Sequence, residues 1–165
     1  MPRGVSIGKV AVAFDGSAGS RRAAALALEI AERFRAEVSF VVVVRAEAGE
    51  TETVLAGLVP VSEDGRGLTA LLEETVAHAK SKGIPAANVV FRRGDAADEM
   101  LAFLRERPQD LLFVGSRGLS RSRRLLLGSV STRIVEAAPC PVVVVRPSAG
   151  RRGGGRGAPD APPTP

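Results

Sequence analysis

The sequence has no Trp, no Tyr, one Cys and one His. Without Trp and Tyr, only six Phe supply aromatic surface, so the core must be built from Val, Leu, Ile and Ala. The stacking platforms that single-stranded nucleic-acid binders use are missing as well. The lone Cys140 rules out a disulfide within the chain and fits a reducing compartment; between two prolines, it reads as a small buried residue leading into a strand. His78 falls beside the apolar stripe of a predicted helix and is expected at the surface. No nucleophile–His–carboxylate set and no His/Cys/carboxylate cluster with metal-ligand spacing can be drawn from this sequence. No apolar run approaches the ~18 residues of a membrane helix, and the opening MPRGVSIGK has no signal-peptide stretch. The expectation is a soluble, cytoplasmic protein.

What is present fits a single globular domain. The chain has 165 residues, 45% hydrophobic and 25% charged, with a net charge of +5 and a pI near 10.6. Such basicity raises nucleic acid as a partner. However, the segment after Ser148 carries three arginines against one acid, Asp160, so much of the charge lies there. Those last residues, 148–165, are rich in Gly, Pro and Arg and nearly free of large apolar side chains. They read as a tail too poor in apolar surface to offset its ordering entropy. The expected domain is 1–147.

Along that domain, short apolar runs alternate with helical periodicity. KVAVAF (9–14), VSFVVVV (38–44), NVVFR (88–92), LLFV (111–114) and VVVV (142–145) read as strands. The continuous valines suggest burial on both faces, as in a parallel sheet. Ala23, Leu26, Ala27, Ile30, Ala31 and Phe34 recur at helical spacing, with Ser17 or Ser20 as the cap. Leu68, Leu71, Leu72, Thr75, Val76 and Ala79 form a second stripe. Asp95 caps a third helix carrying Ala97, Leu101 and Leu104. A short fourth helix after Ser129 turns Val130, Ile134 and Ala137 inward. Strict alternation predicts an α/β fold, a single doubly wound, Rossmann-like sheet of five parallel strands with helices on both faces. The connection from Arg45 to Gly67 is long for such a fold and is the expected moving part.

Ligands of open α/β sheets bind outside the strand carboxyl ends, where strand order reverses. Two polar clusters follow strands: Asp15-Gly16-Ser17 after the first, and Gly115-Ser116-Arg117-Gly118 after Val114 in the fourth. If those strands are neighbours, the clusters face each other. Glycines at 115 and 118 permit close backbone approach to an anion. Gly128 and Ser129 open a helix whose free N–H groups suit phosphate, and Ser129 and Ser131 add hydroxyls. Leu125 to Leu127 would anchor the loop between. Arg117, Arg121, Arg123 and Arg124 are mostly solvated surface by type, with Arg117 the choice for a phosphate contact. Asp15 would meet a ribose or hold a metal. By itself each of these features is an ordinary loop or turn.

Taken together, they resemble the universal stress protein family. Gly115, Gly118, Gly128 and Ser129 reproduce its Gly-two-Gly-nine-Gly-Ser spacing, and VAFDGS, AEVSFVVVV and GSVSTRIVEAAPCPVVVVRP agree with it too. The likeness runs from about Lys9 to Pro147. In the branch that keeps these glycines, the resemblance implies ATP binding. By position it implies that Asp15, with Ala13 and Phe14 before it, lies beside the ribose and adenine. Val43 would read adenine through its backbone. Val114, Gly115, Ser116, Arg117 and Gly118 would line the ribose and phosphates, and Gly128, Ser129, Val130 and Ser131 would hold the triphosphate. Ala13, Phe14, Ala96 and Val42 depart from the common pattern; Phe14 would narrow the adenine pocket or stack beside it. Mg²⁺ on Asp15 is compatible with this arrangement. The resemblance also implies a homodimer, here through Val142, Val143, Val144 and Val145, which would cover an aggregation-prone edge.

With no GxxxxGK[ST] and no lysine in the glycine loop, the site lacks the parts of an efficient phosphoryl-transfer enzyme. No catalytic residue is assigned, and slow ATP hydrolysis is the most it would support. A nucleotide-dependent sensor of stress is the preferred reading. Cyclic AMP as the ligand, a nucleotide-independent dimer and a basic nucleic-acid binder are the alternatives.

Overall fold

The computed structural model describes residues 6–44, 67–117 and 127–147. The described elements are β1 (Lys9–Ala13), α1 (Ala18–Phe34), β2 (Glu37–Val44), α2 (Leu68–Ser81), β3 (Ala87–Arg93), α3 (Ala96–Glu106), β4 (Leu111–Gly115), α4 (Ser129–Ala137) and β5 (Val142–Val145). The strands form one sheet in the order β3-β2-β1-β4-β5, and every neighbouring pair is parallel. This is the α/β architecture that the alternating pattern predicts. The long connection up to residue 66 and the tail 148–165 lie outside the described residues, as do Gly118, Arg121, Arg123, Arg124, Leu125 and Leu126.

Successive strand side chains point to opposite faces, and this divides the core in two. Val10, Val12, Phe14, Val38, Phe40, Val42 and Phe113 pack with α1 and α2 on one face. Ala11, Val41, Leu112 and Val114 pack with Ala97, Met100, Phe103, Leu104 and Ile134 from α3 and α4 on the other. A central strand such as β1 is therefore apolar on both sides, which is why its sequence runs without polar alternation.

The stripe of α1 differs from the one its hydrophobicity predicts. Leu26 and Phe34 are 41% and 47% exposed, whereas Gly19, Ser20, Ala23, Ala24, Ala27, Leu28 and Ala31 are buried. Gly19, Ala23, Ala27 and Ala31 stand four apart on one face. Their small size lets the helix backbone lie close to the sheet, where a Leu or Phe would hold it off. Ser17 is the cap, its Oγ accepting the Ser20 N–H at 3.2 Å. In α4, Ile134 is buried as expected but Ala137 is exposed, and Ser131 takes an inward place.

Candidate functional site

From β1 the chain builds outward through β2 and β3, then crosses to β4 on β1's other side. The order of strands reverses between β1 and β4, and their carboxyl ends open a crevice. The turn after β1 needs glycine: Gly16 is buried with φ +79°, a region L side chains rarely adopt. That turn lets Asp15 Oδ1 accept the Ser17 N–H at 3.0 Å. Asp15 Oδ2 has no hydrogen-bond partner among the described residues. Across the crevice, Ser17 Oγ stands 3.5 Å from the Arg117 carbonyl oxygen, so the two polar clusters do face each other.

The loop ends are joined by backbone and hydroxyl contacts. Ser116 N–H donates to the Val145 carbonyl at 2.7 Å, and its own carbonyl accepts the Gly128 N–H at 2.8 Å. Ser131 Oγ donates to the Gly115 carbonyl at 2.7 Å. The start of α4 is thereby fastened to the end of β4. No side chain caps α4. Its first-turn N–H groups, at Ser129, Val130 and Ser131, begin a helix whose positive dipole end borders the crevice. From α4, Arg133 Nη1 also reaches Asp95 Oδ1 at 2.8 Å at the start of α3, and Arg133 bonds Asp98. Asp95 in turn accepts the Ala97 and Asp98 N–H groups at 3.0 and 3.1 Å. The Asp98 N–H above all, with Arg133 beside it, holds the Asp95 carboxyl below the usual aspartate range.

These elements enclose a cavity of about 570 Å³, within the ~300–1,000 Å³ of small-molecule sites. One half is apolar: Ala13, Val41, Val43, Val114, Ala96, Met100, Ile134 and Val130. The other half is polar: Asp15, Ser17, Ser20, Arg117, Ser129 and Ser131, with Gly115 and Gly128. The register Ala13↔Val41 ends β1 level with Val41. Hydrogen-bonding directions alternate along a strand, and Val41 already faces β1 by accepting the Phe14 N–H. The peptide groups of Val43 point the same way but beyond the end of β1, so they face the crevice. They offer one donor and one acceptor beside an apolar slot.

The structure brings Ala13, Asp15, Val43, Val114, Gly115, Arg117, Gly128, Ser129, Val130 and Ser131 to one cavity. Three sequence expectations need correction. Phe14 borders the cavity, but its ring is buried on the opposite face, edge-on to Phe40 with centroids 6.2 Å apart. It neither narrows the slot nor stacks there, because strand alternation turns it away. Ser116 is buried and does not line the cavity; its peptide holds the loop ends together. The Ser131 hydroxyl proton and the Gly128 N–H, expected to be free for phosphate, are both spent on β4 and its following loop. Gly118 lies outside the described residues. Sequence reasoning placed Ser17 in the facing cluster without giving it a contact, and missed Ser20, Val41, Ala96, Met100 and Ile134. Strand parity with Val43 could have found Val41. Met100 and Ile134 depend on how α3 and α4 pack. His78 is exposed, as expected, and Cys140 is half-buried, with burial raising its thiol pKa.

Among the described residues, no group of three or more His, Cys, Asp or Glu could hold a metal ion, and no helix is long and apolar enough to cross a membrane. The model of the universal stress protein family matches residues 6–146. The chain belongs to the universal stress protein family. Universal stress protein YxiE of Bacillus subtilis is 36% identical over 148 residues, covering 84% of this chain and 98% of that protein. Among solved structures of the family, a universal stress protein in complex with cAMP superposes with a TM-score of 0.68 at 26% identity, covering 87% of this chain and 99% of the other. A family protein from Arabidopsis thaliana with AMP bound gives 0.62 at 22% identity, over 87% and 94% of the two chains, and shares the fold.

Proposed function

We propose that the cavity binds an adenine nucleotide, with ATP as the ligand the glycine spacing favours, and that the protein acts as a nucleotide-dependent regulator in stress response. One observation carries this reading: an uncapped helix N-terminus and the outlying peptide groups of Val43 converge on a single cavity at the strand-order reversal. A purine fits the apolar slot. The Val43 carbonyl accepts from the adenine amine and its N–H donates to the neighbouring ring nitrogen. Guanine presents an oxygen where adenine has its amine, so the same pair of groups rejects it. Asp15 Oδ2 accepts from a ribose hydroxyl. The N–H groups of Ser129, Val130 and Ser131 and the Arg117 guanidinium take phosphate oxygens. Where Mg²⁺ accompanies the nucleotide, it would be held by phosphate oxygens and water, with Asp15 as its one carboxylate in place of the ribose contact, which suits an ion that takes only one or two carboxylates.

Asp15 is the one carboxylate bordering the cavity among the described residues, and no lysine or histidine joins it there. This set suits holding a nucleotide better than turning it over. Cyclic AMP is the second reading, favoured by the solved relative that binds it. We also propose that the protein pairs with its twin through β5. Calorimetry with ATP, ADP, AMP, cyclic AMP and GTP, with and without Mg²⁺, tests the site. Heat from the adenine nucleotides, with GTP at least ~10-fold weaker, is expected from the misplaced hydrogen bonds. No heat with any adenine nucleotide would leave a nucleotide-independent dimer and sink the binding reading.

A further inference from the structure

Gly19 lies on the buried face of α1 and does not border the cavity. It nonetheless sits against the loop that does. A Cβ at position 19 would stand 3.0 Å from the Arg117 carbonyl oxygen and 3.3 Å from Gly115 Cα. The contact is reciprocal: a Cβ at Gly115 would come within 2.8 Å of the Gly19 carbonyl carbon and 2.9 Å of the Ser20 nitrogen. Two glycines therefore meet backbone to backbone, and here the bare Cα of Gly115 serves helix packing. The same loop carries the bonds that set α4, since the Gly115 carbonyl accepts from Ser131 Oγ and the Ser116 carbonyl from the Gly128 N–H.

We propose that Gly19 is a positioning residue for the cavity: the missing side chain sets how closely Gly115 to Arg117 lie against α1, and through their bonds to Gly128 and Ser131 where the α4 N-terminus aims. A side chain at 19 meets backbone on every near side, so the loop must give by a few tenths of an ångström. That displacement acts first on Gly115 and Arg117, then on Gly128 and Ser131. The effect on affinity rests on the nucleotide reading of the cavity; the effect on the loop does not.

Local propensity and loop position predict opposite outcomes, which makes the test decisive. Gly19 has no positive φ, so Ala there should favour the helix and, on propensity alone, raise the melting temperature without changing binding. Gly19→Ala and Gly19→Ser place the same Cβ but differ in propensity. We expect both to bind AMP and ATP about tenfold more weakly by calorimetry, as a small misplacement of ligand-holding groups does. In the ligand-free protein, amide exchange at Gly128 should quicken about tenfold as its bond to Ser116 loosens. Wild-type affinity in both variants, or unchanged Gly128 exchange, overturns the proposal. If the wild-type chain binds no nucleotide, the functional reading falls and the affinity claim with it. The Gly128 exchange still decides whether Gly19 sets the loop.

Discussion

At the scale of single residues, Ser131 shows how a motif position can carry a role its type does not announce. A serine in the first turn of a helix facing a phosphate cradle suggests a hydroxyl donor. Its one proton is given instead to the Gly115 carbonyl, at 2.7 Å, in a residue only 6% exposed. Ser131→Ala leaves that carbonyl without its partner and should lower the stability of ligand-free protein by about 1 kcal/mol, measured by urea unfolding, whereas Ser131→Thr keeps the hydroxyl and most of the stability. If alanine leaves unfolding untouched and weakens only nucleotide binding, the hydroxyl belongs to the phosphates after all. Asp15 is the contrasting case. One carboxylate oxygen is committed to the turn and the other is left over, which leaves it available to the ligand hydroxyl of the proposed function.

At the scale of elements, Asp95 joins a cap, an ion pair and a wall of the cavity. It bonds two N–H groups at the start of α3, whose Ala96 and Met100 border the cavity, and it meets Arg133 from α4. Asp95→Ala should cost about 1 kcal/mol through the lost cap. Asp95→Asn keeps the cap and should cost less, since the pair with Arg133 is half-exposed and worth little. Because its folded pKa is depressed, the charge of Asp95 stabilises the fold above the ordinary aspartate value of about 3.9. That contribution is lost as pH falls from there through the folded value. The stability gap between wild type and Asp95→Asn should therefore close in urea melts below about pH 4; a gap constant down to acid would mean the charge contributes nothing. The Asp95 cap was legible in the sequence because capping is local chemistry. So were the strands, because burial on both faces leaves unbroken valine runs. The inward face of α1 was not legible, because Leu26 and Phe34 outrank Ala24 and Gly19 in hydrophobicity. What decides the face is the distance between helix and sheet, which belongs to two elements at once. The same holds for Met100 and Ile134 in the cavity, and for the two loop ends being joined by Ser116.

At the scale of the whole molecule, the two sheet edges are unlike. β3, ANVVFRR, carries Arg92 and Arg93, and Arg92 is paired with Glu106. Charged side chains of this kind discourage another strand from adding to an edge. β5 is four valines with no charge, Val144 is 36% exposed, and Val135 on α4 is 45% exposed. An uncharged, apolar edge invites pairing, and closure with a second copy about a two-fold axis satisfies it without building a fibre. The expected solution species is a dimer, with light scattering at micromolar concentration giving twice the 17.1 kDa chain mass. Val144→Lys puts a charge on that edge and should shift the protein to monomer while leaving the fold intact, because the side chain already reaches solvent. Nucleotide affinity should survive the change, since the cavity draws no residue from β5. A wild-type protein that scatters as a monomer would remove the dimer. A dimer that persists in Val144→Lys would move the interface away from β5, and the exposed Leu26 and Phe34 of α1 would be the next surface to test.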